Sequence, residues 1–387
     1  VPAAITKHSQ LSGDIMGDSG RIPKANNPIL AGASRLKLAV FALNCSHGSS
    51  MSDLPNVVKA EWSESMAIAR AAEEAGFDAL VPVARWKGMG GAVNFNHRSF
   101  DPLMWAAGLA GVTTKIGLFA TTHVPTIHPV RLAKSVATID HISGGRFSLN
   151  VVAGWNQHEL GMFGLEQLPH DERYDVADEW ISLTKALWEA DGEFDWEGTY
   201  FTSPGAYSEP KPLQAPGPVL MSAGSSPRGL EFAAKHTDVI FVATTDADSS
   251  AAMVTSVKDL ARTRYDREVS VFGQAFIICD EDEDAAHAAY ERLVHEKGDW
   301  DGVRNLLDML VPNSRSAQWE SLAANLIGGY GAIALVGTPD QVVTGMQDLS
   351  DAGLDGLTVS WPDYAFGIRQ YQEVLLPRLV EAKLRSS

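Results

Sequence analysis

The chain has 387 residues, enough for one large barrel or two smaller domains. A formal net charge of −17 argues against a nucleic-acid backbone as partner, and 45% hydrophobic with 20% charged residues fits an ordinary folded protein rather than a disordered one. No apolar run approaches the ~18 residues of a membrane span, no secretory leader is legible, and Cys45 and Cys279 read as reduced thiols of a cytoplasmic protein, with no Cys/His cluster at metal-ligand spacing.

Residues 1–34 have no clear period and are rich in Gly, Pro, Ser and Asn, so they read as an extended arm, either draped over a partner subunit or free as a tail. From residue 35 to 387 the pattern is that of one domain. Leu36–Leu43, Phe77–Val83, Lys115–Thr121 and Arg146–Val152 read as strands. Between them Glu61–Ala75, Pro102–Val112 and Pro129–Ile142 read as helices. Gly76 stops the first of these, and Gly144-Gly145 turns the chain after the third. Glu172–Ala190 reads as a longer helix with Asp171 as its N-cap. Aromatic alternation with prolines and glycines over Phe194–Ala215 suggests a hairpin and loop laid outside the main pattern. Strands at Pro218–Ser222, Val239–Val242 and Ser270–Cys279 follow, with helices from Pro227, near Ser249–Thr263 and from Glu281. Trp300–Tyr330 breaks the rhythm as a helical insertion. Ala332–Val336, a helix from Pro339, Gly356–Trp361 and a final helix near Tyr371–Leu384 close the series. The total is about eight strand–helix units, depending on how the last two apolar runs are scored. That count favours a (β/α)₈ TIM barrel with insertions over its C-terminal rim, rather than an open doubly wound sheet.

Chemistry on such a barrel sits at the C-terminal ends of the strands. Asn150 is an amide near the end of an otherwise apolar strand, followed by the loop Gly154-Trp155-Asn156; a hydrogen-bonded core amide is the competing reading. Ala84-Arg85-Trp86-Lys87-Gly88 is a basic, glycine-containing loop after the second strand, suited to an anion or a ring system. Thr121-Thr122-His123 ends the third strand, where Thr121 can touch a ligand and His123 can act as acid or base or shape a substrate pocket. Arg173 and Tyr174 sit in the first turn of a helix, where an arginine opposes the helix dipole and so suggests another use, such as a phosphate or Glu159. Ser222-Ala223-Gly224-Ser225-Ser226-Pro227 runs from a strand into a helix N-terminus with small residues and free N–H groups, a phosphate-site pattern that is not a Walker loop. The first strand is followed by no GxGxxG, and no GxSxG elbow or paired-carboxylate signature appears.

These sites fall in one order along the chain, and from about Leu36 to Leu384 the sequence resembles the bacterial-luciferase-like, flavin-dependent monooxygenases. The likeness is nearest to the branches that oxygenate pyrimidines and dimethyl sulfone. It is carried by residues 137–146 (ATIDHISGGR), 150–155 (NVVAGW), 170–174 (HDERY), 210–214 (PKPLQ), 223–226 (AGSS) and 337–339 (GTP). The resemblance implies a barrel that takes reduced FMN (FMNH2) from a separate NAD(P)H flavin reductase. O₂ adds to the reduced flavin, and the flavin peroxide, at N5 in the nearest branches, oxygenates a small organic substrate with cleavage of a C–S, C–N, amide or C–halogen bond. It places Ala84 and Arg85 beside the isoalloxazine, Asn150 at the flavin near the oxygen site, and Glu159 at the ribityl chain or behind the loop. Arg173, Tyr174, Ser225 and Ser226 would hold the phosphate, with Thr121 and Trp155 lining the oxygen and substrate pocket. It also implies a homodimer or homotetramer. Arg85, His123 and His128 depart from the pyrimidine branch and leave the substrate open. The competing expectations are a coenzyme F420-dependent oxidoreductase on the same barrel and a non-catalytic flavin-binding protein.

Overall fold

In the computed structural model, which describes residues 20–243, 246–310 and 319–386, eight parallel strands close into a barrel in chain order. They are Lys37–Phe41, Ala79–Val81, Gly117–His123, Phe147–Val152, Val219–Ser222, Val239–Phe241, Ser270–Cys279 and Gly356–Ser360. The eighth strand lies between the seventh and the first, with Leu357 opposite both Gly273 and Leu38.

The ambiguity over the last two apolar runs resolves in favour of Gly356–Ser360. Ile333–Gly337 is a ninth parallel strand outside the barrel wall, paired with Ala275–Cys279. The cause is length. The seventh strand has ten residues, but the three-residue sixth strand covers only Ser270–Phe272 on that side. The backbone groups beyond it need partners, and Ile333–Gly337 supplies them.

Both faces of the strands are buried, which is why they read as continuous apolar runs. Ala39, Val81, Phe119, Val219, Met221 and Phe272 point inward and fill the barrel. Leu38, Leu118, Leu149 and Leu220 point outward into a larger core shared with Leu132, Trp180 and Phe232 of the helices.

Residues 20–34 fold under the barrel's own base; residues 1–19 of the expected arm lie outside the described residues. Ile22–Pro23 pairs in parallel with Gln214–Ala215. Ile29, 2% exposed, plugs the barrel floor. Asn27 donates to Phe147 O and Gln214 Oε1, and Gln214 donates through its side chain and backbone to Asp140. A Cβ on Gly145 (φ 84°) would lie 2.2 Å from Ile22 Cδ1, so this glycine is needed both for its conformation and for the close approach. Arg146 donates to the carbonyls of Ala110, Thr113, Ile116 and Ser143. Two of the segments that carry the resemblance, residues 137–146 and 210–214, therefore hold the base together.

Two helix boundaries differ from expectation. The long helix is His170–Glu189, preceded by Pro169 with no side-chain cap, so Asp171 lies inside the first turn and pairs with His170 at 2.7 Å. The terminal helical segment starts at Tyr364 rather than Tyr371, capped by Asp363. The hairpin forms as Phe194–Glu197 and Thr202–Ala206, and Glu179 of the long helix accepts the N–H groups of Thr199, Tyr200 and Phe201. Among the described residues no helix is long and apolar enough to cross a membrane.

Candidate active site

Strand parity builds the site. Side chains two residues apart share a face, so Phe119, Thr121 and His123 rise in file from the barrel core towards its C-terminal mouth, with Asn150 beside Thr121 on the next strand. A cleft of about 650 Å³ opens above them. Ala84, Arg85, Thr121, His123, Asn150, Trp155, Arg173, Tyr174, Ser225 and Ser226 all line it.

Glu159 does not. It is 1% exposed and sits behind the loop after the second strand. Its Oε1 accepts the backbone N–H of Trp86 and Lys87 at 2.8 and 3.2 Å and lies 3.7 Å from Arg85 Nη1. It therefore orders the loop and does not reach into the cleft. Nor does it pair with Arg173, whose Nη1 donates to Gly154 O at 2.6 Å.

On the floor of the cleft, Thr121 and Asn150 form a relay. Asn150 Nδ2 donates to Thr121 Oγ1 (3.2 Å), which donates to the Pro82 carbonyl (2.6 Å). The Pro82 oxygen can only accept, so the Thr121 proton is committed to it. Thr121 thus needs a donor from Asn150, which sets the amide orientation. Asn150 Oδ1 is buried with no partner among the described residues. Thr121 therefore has no proton left for a ligand, whereas Asn150 keeps one N–H and its carbonyl oxygen.

His123 is 4% exposed, and burial, then the nearby Arg85 charge, push its imidazolium down to about 3. It is a neutral ring at ordinary pH, not an acid titrating near 7.

The fifth-strand wall is a cradle. Ser226 caps the helix Pro227–His236, its Oγ accepting Gly229 N at 3.1 Å. A Cβ on Gly224 would lie 2.5 Å from the Tyr174 hydroxyl and one on Gly229 2.6 Å, so both positions must stay bare for the phenol to enter. Arg173 Nε is buried without a partner among the described residues. Small residues, a helix N-terminus and an unspent guanidinium N–H together fit a phosphate. The orphaned amide oxygen of Asn150 and the apolar walls Val81, Val83 and Met221 fit a ring system between cradle and floor. The residues present thus fit FMN.

The helical insertion closes the remaining side with Leu310, Leu326 and Tyr330. Sequence reasoning missed Tyr330, Gln274 and Pro82. Only the Gly328-Gly329-Tyr330-Gly331 run hinted at Tyr330, which adopts a left-handed φ of 58°.

A family model described as luciferase-like monooxygenase matches residues 36–356. The chain belongs to that family. Pyrimidine monooxygenase RutA of Caulobacter vibrioides is 29% identical over 329 residues, covering 82% of this chain and 90% of the relative. Among solved structures, the riboflavin lyase RcaE with modified FMN and riboflavin superposes with a TM-score of 0.83 at 22% identity, covering 91% and 93% of the two chains. Long-chain alkane monooxygenase LadA gives 0.80 at 22% identity over 92% and 93%. An F420-dependent secondary alcohol dehydrogenase gives 0.68 at 18% identity over 91% and 100%. The fold is thus shared by flavin and F420 proteins, while the family model and the curated relative are both of monooxygenases.

Proposed function

We propose that this luciferase-like monooxygenase is the oxygenase of a two-component system. It takes FMNH2 from a separate NAD(P)H flavin reductase and uses O₂ to oxygenate a small organic substrate, with cleavage of a C–S, C–N, amide or C–halogen bond. The observation that carries the reading is the pairing, in one cleft, of a phosphate cradle with a buried, partly unsatisfied amide. Arg173, Tyr174, Ser225 and Ser226 hold the phosphate. Ala84 and Arg85 flank the ring, and Glu159 fixes their loop from behind. FMNH2, when bound, supplies the electrons that activate O₂.

The residues do the rest. Asn150, oriented by Thr121, offers a neutral N–H to developing negative charge on oxygen, which stabilises it without supplying an acid. His123, held neutral, likewise adds no strong acid to the cleft. Trp155, Leu310 and Leu326 make the substrate side apolar, which keeps water from the reacting atoms. The protein acts as a cytoplasmic homodimer or homotetramer.

An F420-dependent oxidoreductase, a class with a member that shares this fold, is the second reading. The test combines cofactor binding and product formation. The purified protein should bind reduced FMN, and with a generic flavin reductase, NADH and O₂ it should convert a member of a substrate panel. Binding of F420 in preference to FMN, or FMN binding with O₂ consumption that never couples to any product, would defeat the proposal.

A further inference from the structure

On the wall where the second-strand loop meets Leu326 and Tyr330, the described side chains that face the cleft present donors rather than acceptors. Arg85 is 4% exposed, and its Nε and Nη1 are buried without partners among the described residues. Its Nη2 donates to the Tyr330 hydroxyl at 2.8 Å. The phenol keeps its own proton, for which no acceptor is present among the described residues. The guanidinium stands over the Trp155 ring, 5.2 Å from its centroid, which fixes its plane. Glu159 lies 3.7 Å from Nη1, close enough to pair with its charge but too far for a hydrogen bond; its Oε1 already accepts two backbone N–H groups, and its Oε2 is buried without a partner among the described residues, behind the wall and outside the cleft. In a chain of net charge −17, no Asp or Glu is among the described residues that line the cleft.

We propose that this wall is an oxyanion site, and that the substrate is a small organic anion whose carboxylate or sulfonate-type group rests on Arg85 with Tyr330 beside it. The inference rests on reading the cleft as the oxygenase site, and it names the substrate class that reading leaves open. After its bond to Tyr330 the guanidinium keeps four N–H protons and the phenol adds a fifth; a single neutral carbonyl accepts at most two of them, whereas a group with two or three charged acceptor oxygens accepts more, through charge-assisted bonds. The organic remainder then lies against Trp155, Leu310 and Leu326. Arg173, the other arginine among the described residues that line the cleft, belongs to the phosphate cradle, so the two anions are held by separate cations.

The test titrates benzenesulfonate against methyl phenyl sulfone, and benzoate against benzamide, by calorimetry. It is run with and without bound FMN on the wild type and on Arg85→Gln, Arg85→Lys and Tyr330→Phe. In the wild type the anions should bind about tenfold or more tightly than their neutral partners. That ratio should fall close to one in Arg85→Gln, survive in part in Arg85→Lys, and drop by roughly threefold to tenfold in Tyr330→Phe. Equal affinities in the wild type overturn the proposal. An unchanged ratio in Arg85→Gln overturns it too, including when that variant has lost FMN, since Arg85 then serves the flavin. Should Arg85→Gln not fold, an unchanged ratio in Tyr330→Phe decides against it. Failure to bind FMN with anion preference intact counts against the flavin reading alone. Product formation without anion preference counts against this proposal alone.

Discussion

Asn150 and Thr121 differ in what they have left to give. The Thr121 proton is committed to Pro82 O, so Thr121 positions Asn150, while Asn150 retains an N–H and a carbonyl oxygen for the cleft. Asn150→Ala should keep affinity for reduced FMN within a modest factor and lose ~10²–10³ in product formation. Rapid mixing of the reduced complex with O₂, alongside product yield, reads both. Thr121→Ser keeps the relay and should behave like wild type. Thr121→Val strands the Pro82 carbonyl and the Asn150 amide, at a cost of ~1–3 kcal/mol in stability as well as a loss of rate. If Thr121→Val turns over normally, the relay has no part in catalysis. His123 makes a different prediction. Its folded value of about 3 lies below the ~6.5 of an unfolded chain. The unfolded state therefore binds a proton that the folded state refuses, and stability falls as pH drops below ~6.5. His236, pushed by burial to about 4 despite its bond to Asp178, acts in the same direction. His123→Gln should lose less of its melting temperature between about pH 7 and 5 than the wild type does. Parallel curves would mean that His123 is not the group responsible.

At the scale of elements, the cradle depends on two helix N-termini meeting around one phenol. Ser226→Asp puts a carboxylate where the phosphate would lie and should weaken FMN binding more than about tenfold with little change in melting temperature, since the position is a tolerant N-cap. Gly224→Ala places a Cβ against the Tyr174 hydroxyl and should also weaken FMN, with Tyr174→Phe partly restoring it. Unchanged affinity in both variants would remove the phosphate from this wall. Much of this was legible in the sequence because local signals are strong there: a strand end, a run of small residues, then Pro227 at the first helical position. The cap of the long helix was misread because Asp171 suits the role by type, while Pro169 sets the boundary two residues earlier. The role of Glu159 was only half legible, since which backbone N–H groups it meets depends on a loop from another strand. Tyr330 was illegible for the same reason: it reaches Arg85 across 245 residues of chain, and no periodicity records such a contact.

At the scale of the molecule, the barrel is sealed at one end and open at the other. Ile29 closes the floor, and Ile29→Ala should cost roughly 2–5 kcal/mol, read by urea unfolding, with FMN affinity preserved because the site lies at the other end. A stability near wild type would show that residues 20–34 are a dispensable cover. The sequence reading took those residues for an arm because Gly, Pro, Ser and Asn there obscure the one isoleucine that counts. Light scattering at micromolar concentration should find a dimer or tetramer, and a monomer would contradict that part of the proposal.

The eighth strand inserts between the seventh and the first, so Leu38 finds its partner only when Leu357 arrives. Until then the growing sheet has two raw edges, each a row of unpaired N–H and C=O groups able to template a neighbour. Contacts this distant in sequence form slowly, because the loop-closure entropy must be met before the pairing rewards it. During synthesis the ring therefore stays unclosed until Gly356–Ser360 has been made, long after Lys37–Phe41. That is the interval in which a strand edge of another nascent copy competes for the same hydrogen bonds. Soluble yield should thus respond to expression rate and temperature more steeply than the stability of the finished barrel suggests.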